Sequence, residues 1–206
     1  MPAMHVNSLK TLRQDLLTQR MHFAAGKSYA ESLYQLTAGL RQFLEKQNPS
    51  SIALYLPIQN EPDLRLALLS WVSENKGCQL ALPYARPDKH LEFYAWEEGD
   101  VLITSKHGVP EPDPSNSHRT QLTPDCILIP CVGWSQSKAS GKSQYWRLGY
   151  GGGYFDRTLA QLRKNKPRLL CIGVGFDWQQ LNTVQWQVQT HDEPLDLMLT
   201  ESGLKN

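Results

Sequence analysis

Apolar positions along the chain repeat with two periods. Over residues 7–20, Leu9, Leu12 and Leu16 fall on one helical face, with Lys10, Arg13 and Arg20 on its polar side. A second helix is expected after Ser28. Ser28 and Glu31 have capping-box spacing, and Leu33, Leu36, Leu40, Phe43 and Leu44 form an apolar stripe up to Pro49. A third helix carries Leu64, Leu68, Trp71 and Val72, with Pro62 in its first turn and Gly77 as its C-cap. A fourth opens at Tyr154 and presents Phe155, Leu159 and Leu162. Between the helices lie continuous apolar runs at residues 51–57, 79–83, 126–134, 168–176 and 194–200, read as buried strands, the final run being the last strand. Residues 90–96 alternate as a half-exposed strand does, and residues 101–104 form a short apolar run. Residues 110–117 read as a Pro/Asp/Ser/Asn loop and residues 135–144 as a solvated, flexible one.

Apolar strands alternating with amphipathic helices define an α/β fold with a largely parallel sheet covered on both faces, preceded by a helical pair. A length of 206 residues suits one domain spanning residues 1–206, with no internal repeat and no strong linker. The formal net charge of +1 gives no basis for a nucleic-acid or membrane-surface partner. No apolar run has the length of a membrane span, and the opening "MPAMHVNSLKTLRQ" lacks the apolar stretch of a signal peptide. Cys78, Cys126, Cys131 and Cys171 form no C-x-x-C pair and lie in or beside apolar runs, as buried thiols of a cytoplasmic protein do. Six tryptophans and eight tyrosines are generous for this size and offer material for a pocket that takes a flat ligand.

The richest chemistry lies in "RLGYGGGYFDRTLAQL", residues 147–162. Gly149, Gly151, Gly152 and Gly153 stand between an apolar strand region and a helix start. Glycines expose backbone N–H groups, and the positive end of a helix dipole adds to them, so the segment is a candidate phosphate site. Two alternative motifs fail. "ASGKS" (residues 139–143) lacks the glycine that a P-loop needs five positions before Gly141, where Gln136 stands, and no helix follows Lys142. From Gly149, the G-x-G-x-x-G frame of a dinucleotide site ends on Tyr154.

Asp156, in the first turn after the glycines, has two readings: a favourable charge at a helix start, or a ligand for Mg²⁺ held against phosphates. Asp192, Glu193 and Asp196 offer a second carboxylate. Glu61 follows the first strand, where ligands sit in open α/β sheets, and can accept hydrogen bonds from ligand N–H groups. Lys10 and Arg13 can reach a polyphosphate from the first helix.

The segment from Arg147 to Arg157 closely resembles the signature of the 5-formyltetrahydrofolate cyclo-ligase (methenyltetrahydrofolate synthetase) family. Leu12–Arg13, "YLPIQNEPD", "GVPEPDP", "CILIPCVGW" and "HDEPLDLMLT" extend the resemblance along nearly the whole chain. It implies a Rossmann-like fold and an ATP- and Mg²⁺-dependent closure of 5-formyltetrahydrofolate to 5,10-methenyltetrahydrofolate, by a monomer whose partner is the reduced folate. By resemblance, Arg147 and Tyr154 are the catalytic residues. ATP falls to Lys10, Arg13, Arg147, Leu148, Gly149, Tyr150, Gly151, Gly152, Gly153, Tyr154 and Phe155. Folate falls to Leu56, Glu61, Tyr150, Gly151, Gly152, Gly153 and Tyr154, and Mg²⁺ to Asp156 and Asp192.

Two departures stand out. The short Phe-Asp-x-x-Gly link usual before the signature is replaced by "WSQSKASGKSQYW", with Ser135 at the Asp position. The lysine usual four residues before the arginine is Leu9 here, with Lys10 one place on. These departures would suit a non-catalytic folate- or nucleotide-binding protein. A sugar-phosphate isomerase or CoA-transferase-like enzyme would instead need a carboxylate base and no ATP.

Overall fold

The computed structural model describes residues 6–139 and 142–205. Two helices come first, α1 (Val6–Ala24) and α2 (Tyr29–Gln47), then strand β1 (Ser51–Ala53), helix α3 (Arg65–Glu74) and strands β2 (Gln79–Ala85) and β3 (Leu91–Ala95). Short strands β4 (Leu102–Thr104), β5 (Pro110–Pro112) and β6 (Gln121–Leu122) lead to β7 (Cys126–Pro130). The hairpin β8 (Gly133–Ala139) and β9 (Lys142–Leu148) precedes helix α4 (Tyr154–Asn165), and β10 (Leu170–Val174), β11 (Leu197–Thr200) and β12 (Gly203–Lys205) finish the chain.

The main sheet has eight strands in the order β12-β11-β10-β7-β1-β2-β3-β6. The five from β11 to β2 are mutually parallel, and β12, β3 and β6 add antiparallel edges. Alternate residues of each strand serve opposite faces, as the pleat requires. Ile52, Leu54, Leu80, Leu82, Leu128 and Ile172 meet Leu36, Leu40, Phe43 and Leu44 of α2 and Leu68 and Trp71 of α3. Ala53, Ala81, Ile127, Ile129, Cys171 and Met198 meet Leu159, Phe155 and Leu162 of α4. Helix α1 joins the first cluster only near its end, through Phe23. Its Leu9, Leu12, Leu16 and Leu17 pack with Val132, Leu148, Leu181 and Trp186, beyond the carboxyl end of β7. The expected open, largely parallel sheet is therefore present, and α1 is set across the end where such sheets bind ligands.

Several expectations are corrected in detail. Ser28 is helical (φ −81°, ψ −12°) and makes no capping bond, whereas a cap residue needs extended dihedrals to aim its side chain at the first turn. Pro62 is buried ahead of α3 instead of within it. The Tyr55 hydroxyl donates to its carbonyl at 2.8 Å, and the helix begins only at Arg65. Asn75 caps α3 through its own side chain, which donates to the Trp71 carbonyl at 2.9 Å, so Gly77 falls outside. The apolar run at residues 51–57 supplies only a three-residue strand, although the Leu54 N–H still donates to the Ala81 carbonyl of β2 at 2.9 Å. Part of the loop at residues 110–117 pairs as β5 with β4, and β12 follows the strand expected to be last.

The largest correction concerns residues 126–148. The run 126–134 is not one strand: β7 stops at Pro130 and β8 starts at Gly133. The expected loop at residues 135–144 is instead the arms of a hairpin, in register from Gly133 opposite Leu148 to Ala139 opposite Lys142. Its polar composition hides two anchors, Trp134 and Tyr145, both in the core. The Trp134 indole donates to the Phe176 carbonyl at 2.9 Å. Ser140 and Gly141 of "ASGKS" lie outside the described residues.

Denaturant unfolding should separate these features. Ser28→Ala is expected to change stability by less than about 0.5 kcal/mol, against the ~1 kcal/mol typical of a working cap. Trp134→Ala, at a position with no exposed surface, is expected to cost about 3–5 kcal/mol.

Candidate active site

The glycine segment joins β9 to α4 at the sheet end crossed by α1. Gly151 (φ +94°) and Gly153 (φ +66°) take left-handed backbone that suits glycine. Gly153 caps α4 without a side-chain bond, so the first-turn N–H groups have no side-chain acceptor there. Gly149 leaves room for the Arg147 guanidinium, which folds back over it and would have to shift if a Cβ stood there.

Two arginines and two carboxylates gather beside this loop. Arg147 is buried, pairs with Asp156 (Nη2 to Oδ2, 3.3 Å) and lies 5.1 Å over the Phe155 ring. Arg13 of α1 donates from Nε to the Gly149 carbonyl at 2.7 Å. Burial pulls the Arg13 guanidinium below its ordinary value, with Asp192 opposing and Arg147 reinforcing the shift. Asp156 accepts from the Glu193 N–H at 3.4 Å, and Asp192 from the Gln189 N–H at 2.7 Å. Burial pushes the Asp192 carboxyl up, its bond from Gln189 opposes this, and the charge of Asp156 adds to it. Among the described residues, no three His, Cys, Asp or Glu side chains converge as a metal cage.

Next to Gly149 in the loop, Tyr150 donates to Glu61 Oε1 at 2.7 Å, while Oε2 accepts from the Ile58 N–H at 3.0 Å. Glu61 is buried, which raises its pKa; the Ile58 and Tyr150 bonds and the charges of Arg20 and Arg147 oppose the rise. Tyr154 sits at the open side. Its hydroxyl is 3.1 Å from His107 Nε2, their rings meet edge-on at 5.7 Å, and Lys106 Nζ lies 6.0 Å over its ring. His107 belongs to the turn between β4 and β5. Beneath that turn, the buried Glu111 of "GVPEPDP" accepts from the Ala85 N–H at 3.2 Å.

The structure thus brings together Arg13, Arg147, Asp156, Asp192 and the glycines, and places Glu61, Tyr150 and Tyr154 along the same loop. Leu148 is buried under α1, and Leu56 is half-buried against the cluster beneath α2 and α3. Lys10 is exposed on α1. Lys142 is exposed at the far end of the hairpin from Arg147. Two cavities lie apart from these residues. One of about 940 Å³ is lined by Trp96 and Arg119, and one of about 920 Å³ lies beside the hairpin at Trp146, Trp178 and Trp186.

Two contributors were not legible as such. Arg20 is fully buried, and Gln179 donates from Nε2 to the Cys131 and Val132 carbonyls at 2.9 and 2.8 Å. The one available signal for Arg20 is its seven-residue spacing from Arg13, which puts both on one side of α1.

A glycine loop entering a helix start, flanked by arginines and paired carboxylates on an open α/β sheet, is suited to polyphosphate chemistry. The chain belongs to the 5-formyltetrahydrofolate cyclo-ligase family, whose sequence profile matches residues 5–201. A 5-formyltetrahydrofolate cyclo-ligase of Mycoplasma pneumoniae is 28% identical over 194 residues, covering 92% of this chain and 96% of that protein. One from Mycolicibacterium smegmatis is 31% identical, covering 76% of this chain and 77% of that one. The solved fold of a 5,10-methenyltetrahydrofolate synthetase from M. pneumoniae superposes with a TM-score of 0.70 at 24% identity, covering 94% of this chain and 98% of that one. The corresponding protein of Aquifex aeolicus gives 0.68 at 25%, covering 96% and 92%.

The position of Lys142 yields a direct contrast. Lys142→Ala is expected to leave the apparent affinity for ATP within about threefold, while Arg147→Ala weakens it by roughly a hundredfold. Equilibrium binding of a non-hydrolysable ATP analogue checks both values. A hundredfold loss at Lys142 would restore the "ASGKS" segment as a phosphate site.

Proposed function

We propose that this chain closes 5-formyltetrahydrofolate to 5,10-methenyltetrahydrofolate and converts ATP to ADP and phosphate. Beyond family membership, one observation carries the reading. Around a single glycine loop stand phosphate-type partners, Arg13 and Arg147 with Asp156 and Asp192, and an N–H acceptor, Glu61, held by Tyr150 of the same loop. That is the layout needed to hold a nucleotide and a reduced pterin with their reacting atoms adjacent.

The formamide oxygen is a poor leaving group. It attacks the γ-phosphorus of ATP, and ADP departs. The formyl carbon then carries a phosphate on an iminium-like centre. N10 adds to that carbon, loses its proton, and phosphate leaves with the former formyl oxygen. In this reading Gly149, Gly151, Gly152 and Gly153 hold the phosphates with the first turn of α4. Arg147 and Arg13 offset charge gathering on the transferring group, and Lys10 adds to the local positive field. Leu148 and Phe155 back the loop and Arg147. Glu61 accepts pterin N–H groups, Leu56 and Tyr150 line the same end, and the Tyr154 hydroxyl orients the folate near the transfer.

The carboxylate pair suits Mg²⁺. The ion takes one or two carboxylates together with phosphate oxygens and water; burial is the main cause of the raised Asp192 carboxyl, and a cation would relieve the part that the charge of Asp156 adds. When bound, it would neutralise charge on the phosphoryl group. We also read the protein as a monomeric cytoplasmic enzyme. Its four cysteines are buried free thiols, its net charge is +1, and its exposed apolar side chains, such as Met21, Tyr34 and Leu66, stand on different elements. No described helix is long and apolar enough to cross a membrane.

The test is ATP-dependent appearance of methenyl absorbance from 5-formyltetrahydrofolate, with ADP measured in parallel. ATP binding without methenyl product would leave a binding protein. Mg²⁺ titrations of the rate then address the carboxylates. Asp156→Asn and Asp192→Asn should each need about tenfold or more Mg²⁺ for half-maximal rate, and the double variant should be less than additive. An unchanged Mg²⁺ requirement with a small drop in Tm would return Asp156 to a helix-start charge of about 0.3–1 kcal/mol.

A further inference from the structure

Arg20 has no exposed surface, yet it spends its guanidinium on three elements of the site end. Nε donates to the Gln59 carbonyl at 2.9 Å, Nη1 to the Cys131 carbonyl at 3.2 Å and Nη2 to the Tyr150 hydroxyl at 2.6 Å. The chemistry of these groups fixes direction. A guanidinium has no acceptor, so the Tyr150 oxygen accepts from Arg20, and its hydrogen is left for Glu61 Oε1, 2.7 Å away. Glu61 Oε2 already accepts from the Ile58 N–H. Both carboxylate oxygens are then held as acceptors, with lone pairs left over. The contact with Gln59 has its own purpose. Gln59 (φ +48°) and Asn60 (φ +61°) are consecutive non-glycine residues in left-handed backbone immediately before Glu61, a costly conformation that needs external support.

We infer that Arg20 is a positioning residue: through Tyr150 and the Gln59 carbonyl it fixes Glu61 as an acceptor for the N–H groups of a reduced pterin. This rests on the folate reading above. Among the described residues, no other neighbour of Glu61 supplies the same service. The Tyr55 hydroxyl is committed to the Pro62 carbonyl, Cys131 is a buried thiol, and Arg147 is paired with Asp156. Those three, with Arg20 and Tyr150, are the titratable or charged groups that face Glu61 from the surrounding elements. Burial disfavours the charge on Glu61, and the Tyr150 bond and the Arg20 charge both act against that. Loss of Arg20 leaves the Cys131 carbonyl with its bond from Gln179, so the turn beneath retains support.

The experiment is a ¹³C NMR titration of the Glu61 carboxyl in the whole protein, assigned with Glu61→Gln, combined with KM for each substrate. Arg20→Met should raise the Glu61 midpoint by about one pH unit or more. It should also raise KM for 5-formyltetrahydrofolate about tenfold while KM for ATP stays within about threefold. Arg20→Lys should fall between wild type and Arg20→Met. A Glu61 midpoint that moves by less than about 0.3 pH unit, with both KM values shifting together and a lower Tm, would overturn the inference and leave Arg20 a structural residue. If Arg20→Met fails to fold, Tyr150→Phe decides, since it keeps the ring and removes the link. It should reproduce the Glu61 shift and the KM split, and leaving both unchanged would overturn the inference. Absence of turnover in the wild type would remove the folate reading alone, because the Glu61 titration still reports on Arg20.

Discussion

One hydroxyl group joins the parts of this protein that must meet. The Tyr150 oxygen lies between Arg20 of α1 and Glu61, which follows β1, while Tyr150 itself opens the glycine loop. Burying an arginine and a glutamate near each other is expensive unless each is hydrogen-bonded, and a tyrosine between them satisfies both with fixed direction. The helix, the turn and the loop are thereby locked in one arrangement. Arg13, two turns earlier on the same helix, is delivered to the Gly149 carbonyl by that lock.

The rest of the site follows from where the sheet ends. The parallel strands point their carboxyl ends toward α1, and connections from β1, β7 and β9 all enter that region. The loop from Gly149 to Gly153 then separates two kinds of chemistry. One side is rich in opposed charges, suited to phosphates and a divalent cation. The other is a buried acceptor, suited to a pterin. The hairpin β8–β9 holds the loop in place from behind through Trp134, whose indole is tied to the Phe176 carbonyl.

Much of this was legible in the sequence because it depends on local rules. The apolar periods give α1, α2 and α4, and the unbroken apolar runs give the parallel strands. The glycine spacing marks the loop and puts Asp156 in the first turn after it, whereas Asp192, rather than Glu193 or Asp196, becomes its partner only through the family resemblance. What was not legible depends on tertiary pairing. The hairpin reads as a loop because Ser135, Gln136, Ser137 and Lys138 carry no strand pattern, while its anchors, Trp134, Tyr145 and Leu148, stand near its base. Ser28 has the right spacing for a cap, but the tight link from α1 keeps it in helical dihedrals. Arg20 reads as a surface residue because its partners, two backbone carbonyls and the Tyr150 hydroxyl, are all more than thirty positions away.

We propose that the loop sets the γ-phosphate of ATP against the formyl oxygen of the folate. Isotope tracing tests it most directly. 5-Formyltetrahydrofolate labelled with ¹⁸O in the formyl group is converted in ordinary water with ATP, and the released phosphate is analysed by mass spectrometry. One ¹⁸O atom is expected in each phosphate formed. Unlabelled phosphate, with the label lost to water, would contradict it.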